Sequence, residues 1–145
     1  MHIRTIMSEP VISIAAKDTI AKAAELMRRH AIGILPVLDG WRPVGIVTDR
    51  DIVVQAINDR HDARNRPVSD VMSTDPVSCQ SDQTVTEAAA IMGDEQVRRV
   101  LVLDKLNRLV GVLSVGDIAR DASEELAGQV LGEITELRKR VVREQ

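Results

Sequence analysis

One stretch of the sequence decides the fold: Gly45-Ile46-Val47-Thr48-Asp49-Arg50-Asp51, which returns as Gly111-Val112-Leu113-Ser114-Val115-Gly116-Asp117. In both copies a glycine leads an apolar run that ends in a hydroxyl side chain, and an aspartate follows three residues later. An apolar run predicts a strand, and a hydroxyl that can cap a helix predicts that a helix starts next. The stretch therefore predicts a repeated strand–helix unit.

Other short stretches of the chain recur in the same register, 65 or 66 residues apart. Self-similarity at a fixed period is the signature of a repeat architecture. The matched pairs are Met7-Ser8 and Met72-Ser73, Pro10-Val11 and Pro76-Val77, Thr19 and Thr84, Ala23-Ala24 and Ala88-Ala89, Met27 and Met92, and Val37-Leu38-Asp39 and Val102-Leu103-Asp104.

Each copy predicts the element order β-α-β-β-α. A short apolar strand precedes a helix that starts at Thr19 or Thr84, and Thr84 with Glu87 forms a capping-box pattern. Two β-rich segments and a second helix follow. Because one copy alone leaves sheet surface uncovered, we expect an α/β (α+β) fold in which the tandem repeats pack sheet to sheet with pseudo-twofold symmetry.

The repeats also set the expected domain boundaries. We expect a first repeat over 1–60, a polar linker over 61–69, a second repeat over 70–122 and a C-terminal helix over 123–145. The last helix carries an apolar stripe that needs a partner, either the domain itself or a second subunit. The stripe consists of Leu126, Val130, Ile134, Leu137 and Val141.

Composition excludes several classes of function. The 145 residues are 44% hydrophobic, with one Trp, no Phe or Tyr and a net charge of -3. A nucleic-acid partner is not expected, because neither a basic footprint nor stacking aromatics are present. Cys79 is the single cysteine, so no intrachain disulfide forms and no metal site is expected. With no apolar run of about 18 residues, we expect no membrane span and a cytoplasmic protein.

The doubled hydroxyl–aspartate motif has two interpretations. A helix start suits an anionic phosphate, the aspartate can accept hydrogen bonds from ribose hydroxyls, and the leading glycine lets a flat ring approach closely. The same pattern is also an ordinary helix cap that stabilises by about 1 kcal/mol. Two copies, each ending a repeat, favour the binding interpretation.

The chain resembles the CBS-domain family over about residues 5–122, through the repeat order, the run Leu35–Asp39 and the doubled motif. The resemblance implies a free-standing CBS pair, or Bateman module: a non-enzymatic regulatory module that often forms homodimers. It also implies binding of AMP, ADP, ATP or S-adenosylmethionine in clefts between the repeats, with ligand status relayed to a separate protein partner. No cofactor is required for this role.

The resemblance also implies which residues bind the ligand. One expected cleft holds Thr48 and Asp51 with Val77, Ser78, Cys79, Arg98 and Arg99. The other holds Ser114 and Asp117 with Val11, Ile12, Ser13, Gly33 and Ile34. Because only the first set contains arginines, we expect the Thr48 cleft to be the tighter nucleotide site.

Two other functions compete with ligand sensing. In a structural or dimerisation module without nucleotide binding, the motifs would serve only as caps. An enzyme is not expected, because no nucleophile elbow, P-loop or zinc-protease motif is present. His2, His30 and His61 lack metal-ligand spacing and are expected at the surface.

Overall fold

The computed structural model describes residues 1–58 and 62–144, with the backbone alone for 136–144. Residues 59–61, where the first repeat was expected to meet the linker, lie outside the described residues, and His61 is among them. The side chains of Leu137 and Val141, from the expected apolar stripe, also lie outside. The described residues form two compact units, which are 12–76 (the first unit) and 1–11 with 77 onward (the second unit).

The first unit holds a four-stranded sheet in the order β1-β2-β3-β4. β1 is parallel to β2, and the remaining neighbours are antiparallel. Its elements are β1 Ile14–Ala15, α1 Ile20–His30, β2 Ile34–Asp39, β3 Arg42–Thr48, α2 Asp49–Asn58 and β4 Ser73–Thr74, with 3₁₀ turns at Ala63–Asn65 and Val68–Asp70.

The second unit repeats this design with a three-stranded sheet in the order β5-β6-β7. β5 is parallel to β6, and β6 is antiparallel to β7. Its elements are a 3₁₀ turn Ile3–Thr5, β5 Ser78–Gln80, α3 Val85–Glu95, β6 Arg99–Leu103, β7 Leu109–Ser114, α4 Val115–Asp121 and α5 Glu124–Glu144. The mixed α/β fold with tandem β-α-β-β-α order and a C-terminal helix is confirmed.

The first helix of each unit starts where its threonine predicts. The Thr19 hydroxyl accepts from the Lys22 backbone N–H at 3.1 Å. Thr84 and Glu87 form the expected capping box, with N–H to oxygen distances of 3.1 and 3.4 Å. Each cap satisfies N–H groups that the first helical turn leaves without a partner.

The opening segments of the two repeats are exchanged between the units. Ile3 and Ile6 pack into the core of the second unit, whereas Val68 and Val71 pack into the core of the first. The expected linker 61–69 therefore contains a core residue, since Val68 is 0% exposed. The compact units thus divide the chain differently from the sequence repeats, because isolated apolar residues in polar stretches carry no periodic signal.

Helix α5 finds its partner within its own unit. Ala127, Val130 and Ile134 are buried in the core cluster that also contains Met92 of α3 and Ile118 of α4. Of the two partners expected from the sequence, the described part of the stripe takes the domain itself. The second helix of this unit is therefore covered by a third.

Candidate functional site

The first hydroxyl–aspartate pair closes the start of α2. The Thr48 hydroxyl accepts from the Asp51 backbone N–H at 3.2 Å, and Asp51 Oδ2 accepts from the Thr48 backbone N–H at 2.9 Å. This reciprocal arrangement is a capping box. Within the described part of the chain no donor reaches Asp51 Oδ1, so that carboxylate oxygen keeps its capacity to accept a hydrogen bond.

The second hydroxyl–aspartate pair forms the same cap, but the other carboxylate oxygen of its aspartate has a hydrogen-bond partner. The Ser114 hydroxyl accepts from the Asp117 backbone N–H at 3.0 Å, and Asp117 Oδ2 accepts from the Ser114 backbone N–H at 2.9 Å. Arg120 Nη2 donates to Asp117 Oδ1 at 2.8 Å. The Asp117 side chain is 8% exposed and that of Arg120 66%. A ligand hydroxyl at Asp117 would have to displace an exposed arginine.

The leading glycine of each motif leaves space for a methionine side chain. A Cβ at Gly45 would lie 2.6 Å from Met72 Sδ and 2.6 Å from the Ser73 carbonyl oxygen, and one at Gly111 would lie 2.5 Å from Met7 Sδ. These contacts explain why Met-Ser and Gly recur together in the two repeats. The sequence interpretation assigned the glycines to ligand approach, whereas the structure fills the space beside them with the exchanged segments.

Arg98 and Arg99 lie beside Ser114. Arg99 pairs with Ser114 across β6 and β7, and the Arg98 carbonyl accepts from the Val115 backbone N–H at 2.9 Å. Both arginines are exposed, and neither has an ion-pair partner among the described residues. The sequence grouped them with Thr48 across the two repeats, and that grouping, with the tighter Thr48 cleft expected from it, stays a prediction.

Gly33 and Ile34 occupy the matching positions beside Thr48. Ile34 pairs with Thr48, and the Gly33 carbonyl accepts from the Asp49 backbone N–H at 2.9 Å. The Asp49 carboxylate covers Gly33, since a Cβ there would lie 2.7 Å from Asp49 Oδ2. We call Thr48, Asp49 and Asp51 with Gly33 and Ile34 the Thr48 end. We call Ser114, Val115 and Asp117 with Arg98 and Arg99 the Ser114 end.

The remaining residues expected to line the clefts lie where the chain passes from one unit to the other, after residues 11 and 76. Val77 to Cys79 opens the second unit on β5, and Ile12 and Ser13 open the first unit. Val11 is the last residue of the opening segment of the second unit. Ser78 is exposed, while Val77 and Ser13 are half-buried. The grouping of these residues with the two motifs stays a prediction.

The side chain of Cys79 is directed into the core of the second unit. It is 4% exposed, its Sγ donates to the Leu101 carbonyl at 3.6 Å, and burial raises the pKa of the thiol to about 11. Strand alternation directs residue 79 inward when Ser78 faces outward, so Cys79 acts in this unit as a small core hydrophobe. Its expected place in the wall of the Thr48 cleft stays a prediction.

Sequence reasoning missed one part of the charge contrast between the two ends. It set Arg98 and Arg99 against Gly33 and Ile34, but it did not compare Asp49 with Val115, which occupy matched positions after the capping hydroxyl. The signal that could have found this part is the mismatch between the two copies at the residue after Thr48 and Ser114.

The hydroxyl–aspartate motif is the candidate site, and we compared it with the grooves, potential metal ligands and long helices among the described residues. A shallow groove of about 210 Å³ between α3 and α5 is lined by Thr86, Leu126, Gln129 and Glu133 among others, none of them a predicted site residue. No group of three or more potential metal ligands converges in the described ranges. No described helix is both long and apolar enough to span a bilayer.

Comparison with known proteins identifies the family. The two β-α-β-β-α units define a tandem-repeat α/β protein, and the CBS domain model matches the chain twice, over residues 3–56 and 68–124. The CBS domain-containing protein YhcV of Bacillus subtilis is 35% identical over 134 residues, which is 92% of this chain and 94% of that protein. The chain belongs to the CBS domain family.

Two solved structures show the same fold. The CBS domain pair of protein MJ0100, in complex with 5′-methylthioadenosine and S-adenosyl-L-methionine, has a TM-score of 0.72 and 25% identity, over 86% of this chain and 98% of that one. The CBS domain protein PAE2072 from Pyrobaculum aerophilum, complexed with AMP, has a TM-score of 0.73 and 28% identity, over 88% of this chain and 99% of that one.

Proposed function

We propose that this protein is a non-enzymatic regulatory module of the cytoplasm that binds an adenosyl ligand in a cleft between its repeats. The ligand is AMP, ADP, ATP or S-adenosylmethionine, and its presence is relayed to a separate protein partner. Thr48 and Asp51 serve one cleft, and Ser114 and Asp117 the other. The proposal is supported by relatives of the same fold that hold AMP or S-adenosyl-L-methionine.

The observation that carries the proposal is the open oxygen of Asp51. Capping uses Oδ2 alone, and among the described residues Oδ1 accepts no hydrogen bond. A carboxylate oxygen is a strong acceptor, and hydrogen bonds to charged groups contribute about 1.5–3 kcal/mol. A ribose presents two neighbouring hydroxyls, which suit such an acceptor.

Isothermal titration of the protein with AMP, ATP and S-adenosylmethionine tests the proposal. We expect Asp51→Ala to weaken the binding of at least one of these ligands tenfold or more, because the ribose loses its acceptor. The matched control is Glu87→Ala, which removes the same type of capping box at the start of α3 (Thr84 with Glu87). If Asp51→Ala and Glu87→Ala bind all three ligands equally well, Asp51 is only a cap and the proposal is overturned.

A specific feature supports the alternative, a structural or dimerisation module without nucleotide binding. Helix α2 buries none of its residues, and Val53, Val54 and Ile57 are 55%, 43% and 78% exposed. Neighbouring exposed apolar side chains on one helix are typical of interaction surfaces. A homodimer formed through α2 is compatible with either function, so ligand binding discriminates between them.

A further inference from the structure

The Thr48 end and the Ser114 end carry opposite charge at matched positions. At the Ser114 end, Arg99 begins β6 opposite Ser114, and Arg98 precedes it. At the Thr48 end the corresponding place is taken by Gly33, and the Asp49 carboxylate lies against it. Identical caps are therefore flanked by two cations at one end and by an anion at the other.

The position of Asp49 is fixed by its neighbours. Its backbone N–H donates to the Gly33 carbonyl at 2.9 Å, and its Oδ1 accepts from the Arg50 backbone N–H at 2.8 Å. Gly33 has no side chain, so the Oδ2 oxygen occupies the space that a Cβ would need. In the described part of the chain Asp49 has no cationic partner, and its charge is not neutralised by an ion pair.

Arg50 does not cancel this charge. Successive residues of a helix are separated by about 100° around its axis, so Arg50 and Asp49 project in different directions. The Arg50 side chain is exposed and makes no ion pair within the described residues. Asp51 is turned back toward Thr48 through its capping bond at 2.9 Å.

Adenosyl ligands differ mainly in the charge of their 5′ substituent. AMP carries a phosphate there, S-adenosylmethionine carries a sulfonium, and adenosine carries no charge. A ribose held at Asp51 places that substituent within a few ångströms of the helix start. A carboxylate at that distance repels a phosphate and attracts a sulfonium, and the effect is larger where water is partly excluded.

On the basis of the proposed function, we infer that Asp49 is a specificity-determining residue: the Thr48 end selects cationic or neutral adenosyl ligands, and phosphate-bearing ligands bind at the Ser114 end. The protein then reports two classes of ligand through two related sites. The inference reverses the order of nucleotide affinity expected from the sequence.

Isothermal titration with three probes tests this assignment: AMP, adenosine and S-adenosylmethionine. In Asp49→Asn we expect S-adenosylmethionine to bind about tenfold more weakly and AMP to gain about tenfold at the Thr48 end, with adenosine unchanged. In the double variant Arg98→Gln/Arg99→Gln, AMP binding at the Ser114 end falls about tenfold and S-adenosylmethionine binding is unaffected. Both variants change exposed side chains only.

Arg50→Gln is the matched control, because it changes a neighbouring charge on the same helical turn. The inference is overturned if the ratio of S-adenosylmethionine to AMP affinity changes less than twofold in Asp49→Asn, or if Arg50→Gln shifts that ratio equally in magnitude. Should none of these probes, and neither ADP nor ATP, bind the unaltered protein, the proposed function itself fails. Circular dichroism detects a fold defect in Asp49→Asn. In that case the salt dependence of the ratio of S-adenosylmethionine to AMP affinity is measured in the Arg98→Gln/Arg99→Gln protein instead. A ratio that does not change with salt overturns the inference.

Discussion

Helices α2 and α4 occupy the same place in the two repeats but have opposite surroundings. Ile118 of α4 is 0% exposed in a core cluster that includes residues of α5, whereas its counterpart Ile52 on α2 is half-buried. Further along α2, Val53 and Ile57 are exposed. The same local design is thus part of a closed core in one unit and of an open surface in the other. Sequence repetition fixes how an element starts, but what packs against it is decided by residues outside the repeat.

The largest expected difference in stability is between alanine substitutions of Ile118 and of Ile52. We expect Ile118→Ala to lower the free energy of unfolding by about 3 kcal/mol and Ile52→Ala by about 1 kcal/mol, because only the first leaves a cavity in a closed core. Urea denaturation followed by circular dichroism measures both. Equal losses would mean that α2 is covered as fully as α4, and the contrast between the helices would be lost.

A smaller difference is expected for the two motif glycines. Gly45→Ala places a methyl group against both Met72 Sδ and the Ser73 carbonyl oxygen, whereas Gly111→Ala meets only the side chain of Met7. Backbone cannot move aside as a flexible side chain can, so we expect losses of about 2 and about 1 kcal/mol respectively. Thermal unfolding monitors both variants. A larger loss for Gly111→Ala than for Gly45→Ala contradicts this account.

The smallest effect on stability is expected on the open face of α2. We expect Ile57→Ser to change the free energy of unfolding of the monomer by less than about 0.5 kcal/mol, because the side chain is 78% exposed. If a second copy covers this face, the same change raises the dissociation constant of the homodimer about tenfold or more. Sedimentation velocity measures the association.

Leu131→Ser on α5 serves as the control for that experiment, since Leu131 is 41% exposed on a helix that already has its partner. An association that is weakened by Leu131→Ser but not by Ile57→Ser excludes α2 as the interface. A protein that stays monomeric at all concentrations excludes the homodimer altogether.

Much of the fold was predictable because it follows from local patterns that occur twice. The helix starts at Thr19 and Thr84 depend on a hydroxyl and the next few residues, and the strand ends at Thr48 and Ser114 on the change from apolar to capping residues. Information of this kind is contained within a few residues. A second copy in the same register supports each assignment.

The exchange of the opening segments could not be predicted, and neither could the neighbours of the arginines. Ile3 and Val68 are single apolar residues in polar surroundings, and such residues do not indicate which of two similar cores they join. The contact of Arg99 with Ser114 depends on strand register within the second unit. Register is a property of pairing over distance, which a motif cannot specify.

The exchanged segments also make the two halves unequal during synthesis. The first unit consists of the continuous residues 12–76, so all of its chain is available to it once residue 76 has emerged from the ribosome. The second unit needs residues 1–11, which are made before the first unit, together with chain from 77 onward, which is made after it. Ile3 and Ile6 therefore stay exposed as apolar side chains during synthesis until α3 and α4 have been translated.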